Sequence, residues 1–201
     1  MGNVVVDLTV SLDGFIAGSD DSPALPLGRG GERLFQWMSA GPESNRVNRW
    51  FAPPNASRVV IDEWLQESGA ILSGRRTFDI AGGWKHGHPI DVPIFVVTHD
   101  APTQGTWSPR VSFVTDGLDR ALERAQLAAG EQNVGVCAAS LAQQLLRGGK
   151  LDEIQVSVVP LLLGAGVRLF DHLGANPATL DQTRVIVSEG VTHLRYWVVR
   201  G

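Results

Sequence analysis

Short runs of β-branched residues recur along this chain, and nearly every one is followed by a segment with helical spacing. That alternation is the strongest constraint on the fold. Strand–helix–strand units place strands side by side in parallel, with helices returning over the faces of the sheet. The runs are 3–10 (NVVVDLTV), 70–73 (AILS), 93–98 (PIFVVT), 111–115, 134–137 (VGVC) and 154–159 (IQVSVV). Helices are expected over 32–39, over 118–129, over 140–147 and from Gly74-Arg75-Arg76-Thr77 onward. Another begins at Asn55 or Ser57 as its cap and ends near Ser68, with Val59, Val60, Trp64 and Leu65 on one face. Residues 19–31, 41–55 and 82–92 are broken by Gly and Pro and read as loops, and 160–166 (PLLLGAG) reads as a tight loop. The segments 183–188 and 193–200 alternate about Glu189-Gly190 and read as an antiparallel hairpin. The expected architecture is therefore α/β: one domain over 1–201, a mostly parallel central sheet with helices on both faces, and a C-terminal antiparallel hairpin.

Charge and composition narrow the function. Seventeen Lys+Arg against 21 Asp+Glu give a net charge of −4, so the chain as a whole does not attract nucleic acid or an anionic membrane. No apolar run approaches the ~18 residues that span a bilayer, and the first residues (MGNVVVD) lack a leader pattern. These features read as a cytoplasmic protein. Cys137 is the only cysteine, which rules out an internal disulfide and a cysteine zinc site. The five histidines show no metal-ligand spacing, so no metal is expected.

Ligands of such sheets sit beyond the carboxyl ends of the strands. Three segments there carry chemistry. Gly74-Arg75-Arg76-Thr77 opens a helix with two guanidiniums and a hydroxyl, which suits a phosphate; a capped helix with two solvated arginines is the alternative. Thr98-His99 offers a hydroxyl and an imidazole to a second phosphate or a ribose, or is a plain surface loop. Cys137-Ala138-Ala139-Ser140 enters a helix through small residues, which allows either a phosphate or close helix–sheet packing. Cys137 reads as an inert buried thiol, since no basic neighbour is evident. Ser11-Leu12-Asp13-Gly14-Phe15-Ile16-Ala17-Gly18 reads as a loop over a ligand or as a β-turn. Trp84, in a Gly-rich loop beside the cleft, is a candidate for lining it.

Five segments together resemble the dihydrofolate reductase superfamily, in its branch with the C-terminal reductase domain of riboflavin-biosynthesis (RibD-type) enzymes. They are SLDGFIAG, GAILSGRRTFD, PIFVVTHD, VGVCAASLAQQLL and LDEIQVSVVPLLLGAGVRLFD, and they span nearly the whole chain. The resemblance implies a dihydrofolate reductase-like three-layer fold. It implies an NADPH-dependent reductase that passes a hydride to a C=N or C=O of a small heterocycle, pterin-like or 5-amino-6-(5-phosphoribosylamino)uracil-like. It also implies a homodimer. Carried onto this sequence, Gly74, Arg75, Arg76 and Thr77 hold phosphate, and Thr98 and His99 meet the 2′-phosphate and adenosine end. Cys137, Ala138, Ala139, Ser140 and Leu141 wrap the pyrophosphate. Gly14, Ile16 and Ala17, with Asp13, belong to the loop over the nicotinamide, and Gly164 with Pro160 to a late loop near the cleft. Phe35, Trp84 and Pro160 fall on the substrate side. Asp13 and Glu32 are the candidate proton-relaying carboxylates, with Glu32 alternatively a solvated first-turn glutamate.

Two departures bear on function. The family usually has Gly-Gly where this chain has Cys137-Ala138, so two Cβ atoms narrow the approach of a pyrophosphate and weaken nucleotide binding. The arginine that grips a folate tail before the PIFVV strand is missing, with Lys85, His86 and His88 the only cations there, which points to a different planar heterocycle. A non-catalytic nucleotide- or ligand-binding descendant of the fold is the main alternative, and a flavin-dependent protein another.

Overall fold

A computed structural model describes residues 1–175 and 177–200. Its core is an eight-stranded sheet. The strands are β1 (Val4–Ser11), β3 (Ser68–Gly74), β4 (Ile94–Val97), β5 (Val111–Val114), β6 (Asn133–Val136), β7 (Glu153–Val159), β9 (Leu180–Ser188) and β10 (Val191–Val198). Their spatial order is β5-β4-β3-β6-β1-β7-β10-β9. The strands from β5 to β7 run parallel, and β10 and β9 close the edge antiparallel. This is the mostly parallel sheet with a terminal hairpin that the sequence implies.

Among the described residues four α-helices accompany it: α1 (Arg58–Glu67), α2 (Arg75–Ile80), α3 (Leu118–Ala129) and α4 (Ala139–Arg147). Strand alternation sorts the two faces. Val4, Val6 and Val10 of β1 and Ala70 and Leu72 of β3 pack with Ala121, Ala125, Leu141 and Leu145 of α3 and α4. On the other face Ile71, Ile94 and Val96 meet Phe78 of α2 and Trp64 of α1. The segment expected as a helix over 32–39 is a 3-10 helix, Gly31–Ser39, whose Leu34 and Trp37 pack with Ile61 and Val159.

Helix α1 departs from its expected face. Val60 and Ile61 are buried, whereas Val59 is 43% exposed. Ser57 occupies the N-cap position of α1 as expected, but its hydroxyl makes no capping bond: it donates to Ser188 Oγ at 2.8 Å and lies 2.9 Å from His193 Nε2. A buried imidazole needing a partner outcompetes the helix for that hydroxyl.

The tight loop read over 160–166 yields a further strand. Short β8 (Gly166–Arg168) pairs antiparallel with β2 (Phe15–Gly18). The pairing brings backbones together at Gly166, whose φ is +140°. A Cβ there would lie 2.0 Å from the Ala17 carbonyl oxygen. Gly166→Ala should therefore cost about 2–3 kcal/mol and lower the melting temperature by ~5–10 °C for a chain of this size. A thermal melt that leaves it unchanged would show that β2 and β8 are not locked.

Candidate functional site

Parallel strands joined by crossover helices carry their carboxyl ends, and the starts of the following helices, to one side of the sheet. Here β3 runs into α2, β5 into α3 and β6 into α4. Beyond these ends lies a cleft of about 840 Å³. The N-terminal ends of α2, α3 and α4 open onto it through Gly74, Gly117 and Ala138. None of the three receives a side-chain cap. Their first N–H groups are free to bind an anion, favoured by the helix dipoles.

Most of the residues singled out from sequence meet in this cleft. Gly74, Arg75, Arg76, Thr77, Thr98, His99, Ile16 and Ala17 line it. So do Cys137, Ala138, Ala139, Ser140 and Leu141, with Phe35 and Trp84. Both guanidiniums are already partnered. Arg75 Nε donates to Asp79 at 2.9 Å and its Nη1 to the Asp100 carbonyl at 2.8 Å. Arg76 Nη2 donates to Asp21 Oδ1 at 2.5 Å, bridging α2 to the loop over 19–31. Gly74 lies beside the neighbouring turn, for a Cβ there would contact Ala138 Cβ at 3.4 Å. Burial pushes the Cys137 thiol up to about 11, against the Ser73 hydrogen bond, so it is no nucleophile near neutrality.

Five predicted residues lie outside the cleft lining. Asp13 is a clasp between loops. Its carboxylate accepts from Ser11 Oγ at 2.6 Å, Leu163 N at 3.1 Å and Gly164 N at 2.7 Å. The Ser11 hydroxyl, joined by the Gly164 and Leu163 amides, holds the carboxyl down at about 2 despite partial desolvation. A carboxylate so occupied has no proton to relay. Gly14 supplies the turn beneath it, with φ +86°, and Gly164 offers its N–H to the clasp rather than to a ligand. Pro160 is exposed at the loop start, and Glu32 is exposed in the first turn of the 3-10 helix. Glu32 is thus the solvated first-turn glutamate, not a pocket carboxylate.

An apolar cavity of about 250 Å³ adjoins the cleft. Leu8, Thr9, Phe35, His88 and Cys137 line both spaces. Phe35, Trp37, Phe51 and Trp64 form much of the cavity wall, and Asp7 lies on it. Asp7 Oδ2 accepts from Gln155 Nε2 at 2.6 Å. Burial pushes the Asp7 carboxyl up to about 7; the Gln155 hydrogen bond and the Arg195 and Arg184 charges pull it back only in part, and Glu153 adds to the rise. Burial holds the His88 imidazole below its usual range. On the same face Ser157 Oγ lies 2.8 Å from His193 Nδ1, and Trp37 Nε1 donates to Thr9 Oγ1 at 3.2 Å. Burial pushes His193 down to about 4.

Asp7, Gln155 and Ser157 escaped the sequence reading, yet left a trace. A parallel strand covered on both faces should be almost continuously apolar. NVVVDLTV carries one carboxylate, and EIQVSVV carries Gln and Ser two positions apart, on one face. Among the described residues no group of His, Cys, Asp and Glu is placed to hold a metal ion. Among them, no helix is long and apolar enough to cross a membrane.

The Asp7 shift makes a testable statement about stability. Unfolded, the group titrates near 3.8; folded, near 7. Between those values the folded chain keeps a proton that the unfolded chain has released, so stability falls as pH rises from about 4 to about 7 and levels off above. Asp7→Asn lacks that charge. Paired melts should coincide near pH 4, with the variant several degrees more stable at pH 8. A gap that does not change with pH would contradict the assignment.

Comparison with known proteins agrees with this fold. The family described as the RibD C-terminal domain matches residues 3–193. The Bacillus subtilis (strain 168) protein YyaP, itself uncharacterized, is 24% identical over 176 residues, covering 83% of this chain and 79% of YyaP. A putative riboflavin biosynthesis protein from Shewanella sp. PV-4 superposes with a TM-score of 0.71 at 24% identity, over 100% of both chains. Dihydrofolate reductase from Enterococcus faecalis, complexed with NADP(H), superposes with a TM-score of 0.61 at 12% identity, over 99% of this chain and 98% of that one.

Proposed function

The chain belongs to the RibD C-terminal domain family, and on that premise we propose that it is an NADPH-dependent reductase of a C=N or C=O group in a small heterocycle. One observation carries the reading: three uncapped helix starts and two arginines converge on a cleft that shares a wall with an apolar, aromatic-lined cavity. The donor set fits a dinucleotide. Backbone N–H groups at Gly74 and Ala138 and the guanidiniums of Arg75 and Arg76 suit phosphates. Thr98 and His99 suit the far end of the nucleotide. Ile16, Ala17 and Cys137 add apolar surface to the cleft, and Cys137 also lines the cavity.

NADPH held there would supply the hydride, and the protein would supply position and dryness. Phe35, Trp37 and Trp64 exclude water from the cavity and confine a flat ring. Cys137-Ala138 narrows the phosphate turn relative to Gly-Gly, and Arg76 must be released from Asp21 before it can serve a ligand. Those two features favour the second reading, a binding protein without turnover. We also propose a cytoplasmic homodimer. The edge strand β9 leaves Val185 and Val187 exposed, a surface that a second copy would cover.

Nicotinamide fluorescence and calorimetry test the reading. NADPH should bind in the micromolar range and NADH at least tenfold more weakly. Arg75→Ala or Arg76→Ala should weaken NADPH by about tenfold, the ~1.5 kcal/mol or more of a charge-assisted contact. Absence of binding by either nucleotide up to millimolar concentration would overturn it. Tight binding with no reduction of any ring compound would leave the second reading standing.

A further inference from the structure

We infer that Asp21 is a specificity-determining residue of the cleft: its carboxylate holds the place of a ligand phosphate on Arg76, and a phosphate that takes that place releases the loop over 19–31 from α2. The inference deepens the reductase reading and rests on it for the identity of the ligand that brings the phosphate.

The pair is built like a ligand contact. Arg76 Nη2 donates to Asp21 Oδ1 at 2.5 Å, and its Nε donates to Oδ2 at 3.1 Å. Two N–H groups on two oxygens form the fork by which arginine grips phosphate as well as carboxylate. Nη2 also donates to the Asp21 carbonyl at 3.1 Å. Both residues line the cleft. The Asp21 side chain is 9% exposed and that of Arg76 65%. The carboxylate is therefore sheltered, while the guanidinium faces water, where a ligand can reach it.

The loop is built to move as one piece. Its neck is closed, with Gly18 N donating to Leu27 O and Arg29 N to Ser19 O, both at 2.8 Å. The strands of the neck are so close that a Cβ at Gly28 would lie 2.2 Å from Gly18 O. Inside the loop, Ser22 and Leu25 exchange backbone hydrogen bonds at 3.1 and 3.0 Å, and Arg29 Nε donates to Asp20 Oδ2 at 2.6 Å. A compact loop with its ends together keeps its shape without outside support. Among the described residues, every hydrogen bond between this loop and α2 belongs to the Asp21–Arg76 pair. Asp21, Pro26 and Leu27 are the loop's share of the cleft wall, so parting from Arg76 frees that wall.

The exchange favours phosphate over other anions. A ligand carboxylate on Arg76 only repeats what Asp21 already offers, and it leaves Asp21 without a partner. A phosphate monoester carries about −1.5 to −2 charge and three acceptor oxygens, so it displaces the carboxylate. An ion pair open to water on one side is weak enough to be exchanged in this way. Arg75 takes no part in the strap. Its Nε holds Asp79 within α2 and its Nη1 the Asp100 carbonyl, and neither partner is on the loop.

Calorimetric titration of the wild-type protein and of Asp21→Asn with adenosine 2′,5′-bisphosphate and with adenosine tests this, a thermal melt confirming that the variant folds. The variant should bind the bisphosphate at least about threefold more tightly, and adenosine with unchanged affinity. A nitroxide on Ala24→Cys, at the exposed tip of the loop, reports release; labelling is kept brief to spare the buried Cys137 thiol. Saturating bisphosphate should make the label more mobile in the wild type. In Asp21→Asn the label should be mobile from the start and unaffected by the bisphosphate. A smaller gain in bisphosphate affinity, an equal gain for adenosine, or a wild-type label that the bisphosphate leaves unchanged or slows would overturn the inference. NADPH is titrated separately into the wild-type protein. Bisphosphate exchange and loop release without NADPH binding keep this inference and sink the reductase reading; NADPH binding without them does the reverse.

Discussion

Parallel strands cannot turn back on themselves. Each must return by a crossover, and a crossover helix starts where its strand ended. That restriction brings Gly74, Gly117 and Ala138 to a common edge, although 64 positions separate the first from the last. The ladder between β3 and β6 aligns Leu72 with Val136, so the turns that follow them emerge side by side. Cys137 N donating to Leu72 O at 3.1 Å extends the pairing one step into the turn itself. The cleft is therefore a product of backbone hydrogen bonding before any side chain is chosen. Side chains then decide what it can hold.

The two faces of the sheet are unequal. The face under α3 and α4 is aliphatic and well packed, which is where burial stabilises the chain. The face under α1 and the 3-10 helix carries Asp7, Thr9, Gln155, Ser157 and His193, tied to Ser57, Trp37 and the Arg184–Glu63 pair. A buried polar row of this kind is costly unless satisfied, and it is satisfied almost throughout. The clasp at Asp13 serves a separate end. It joins the turn after β1 to the loop after β7, and so fixes β2 and β8 as a small second sheet beside the cleft.

Strand and helix positions were legible because β-branched runs and helical spacing are local signals. Leu118–Ala129 falls on its expected bounds, and Arg75–Ile80 follows its glycine as read. The residues collected at strand ends were legible through topology. What failed were assignments that depend on where a side chain points. Asp13 and Glu32 are carboxylates in suggestive places, yet one is consumed by backbone amides and the other faces water. Asp7 sat in a valine run and looked like part of a strand, because a strand pattern says which face a residue takes but not what covers that face. β8 was missed since three residues rich in glycine and arginine carry no strand pattern. Its pairing is imposed by β2.

Cys137 carries a consequence of another kind. It is the chain's single thiol, and it lies on the wall shared by the cleft and the apolar cavity. Burial holds that thiol in its protonated form near neutrality, so an alkylating reagent consumes it slowly. The rate of that consumption is a clock for access to the shared wall. A guest in either space slows the same clock, so one chemical readout, without label or mutation, reports on the occupancy of both.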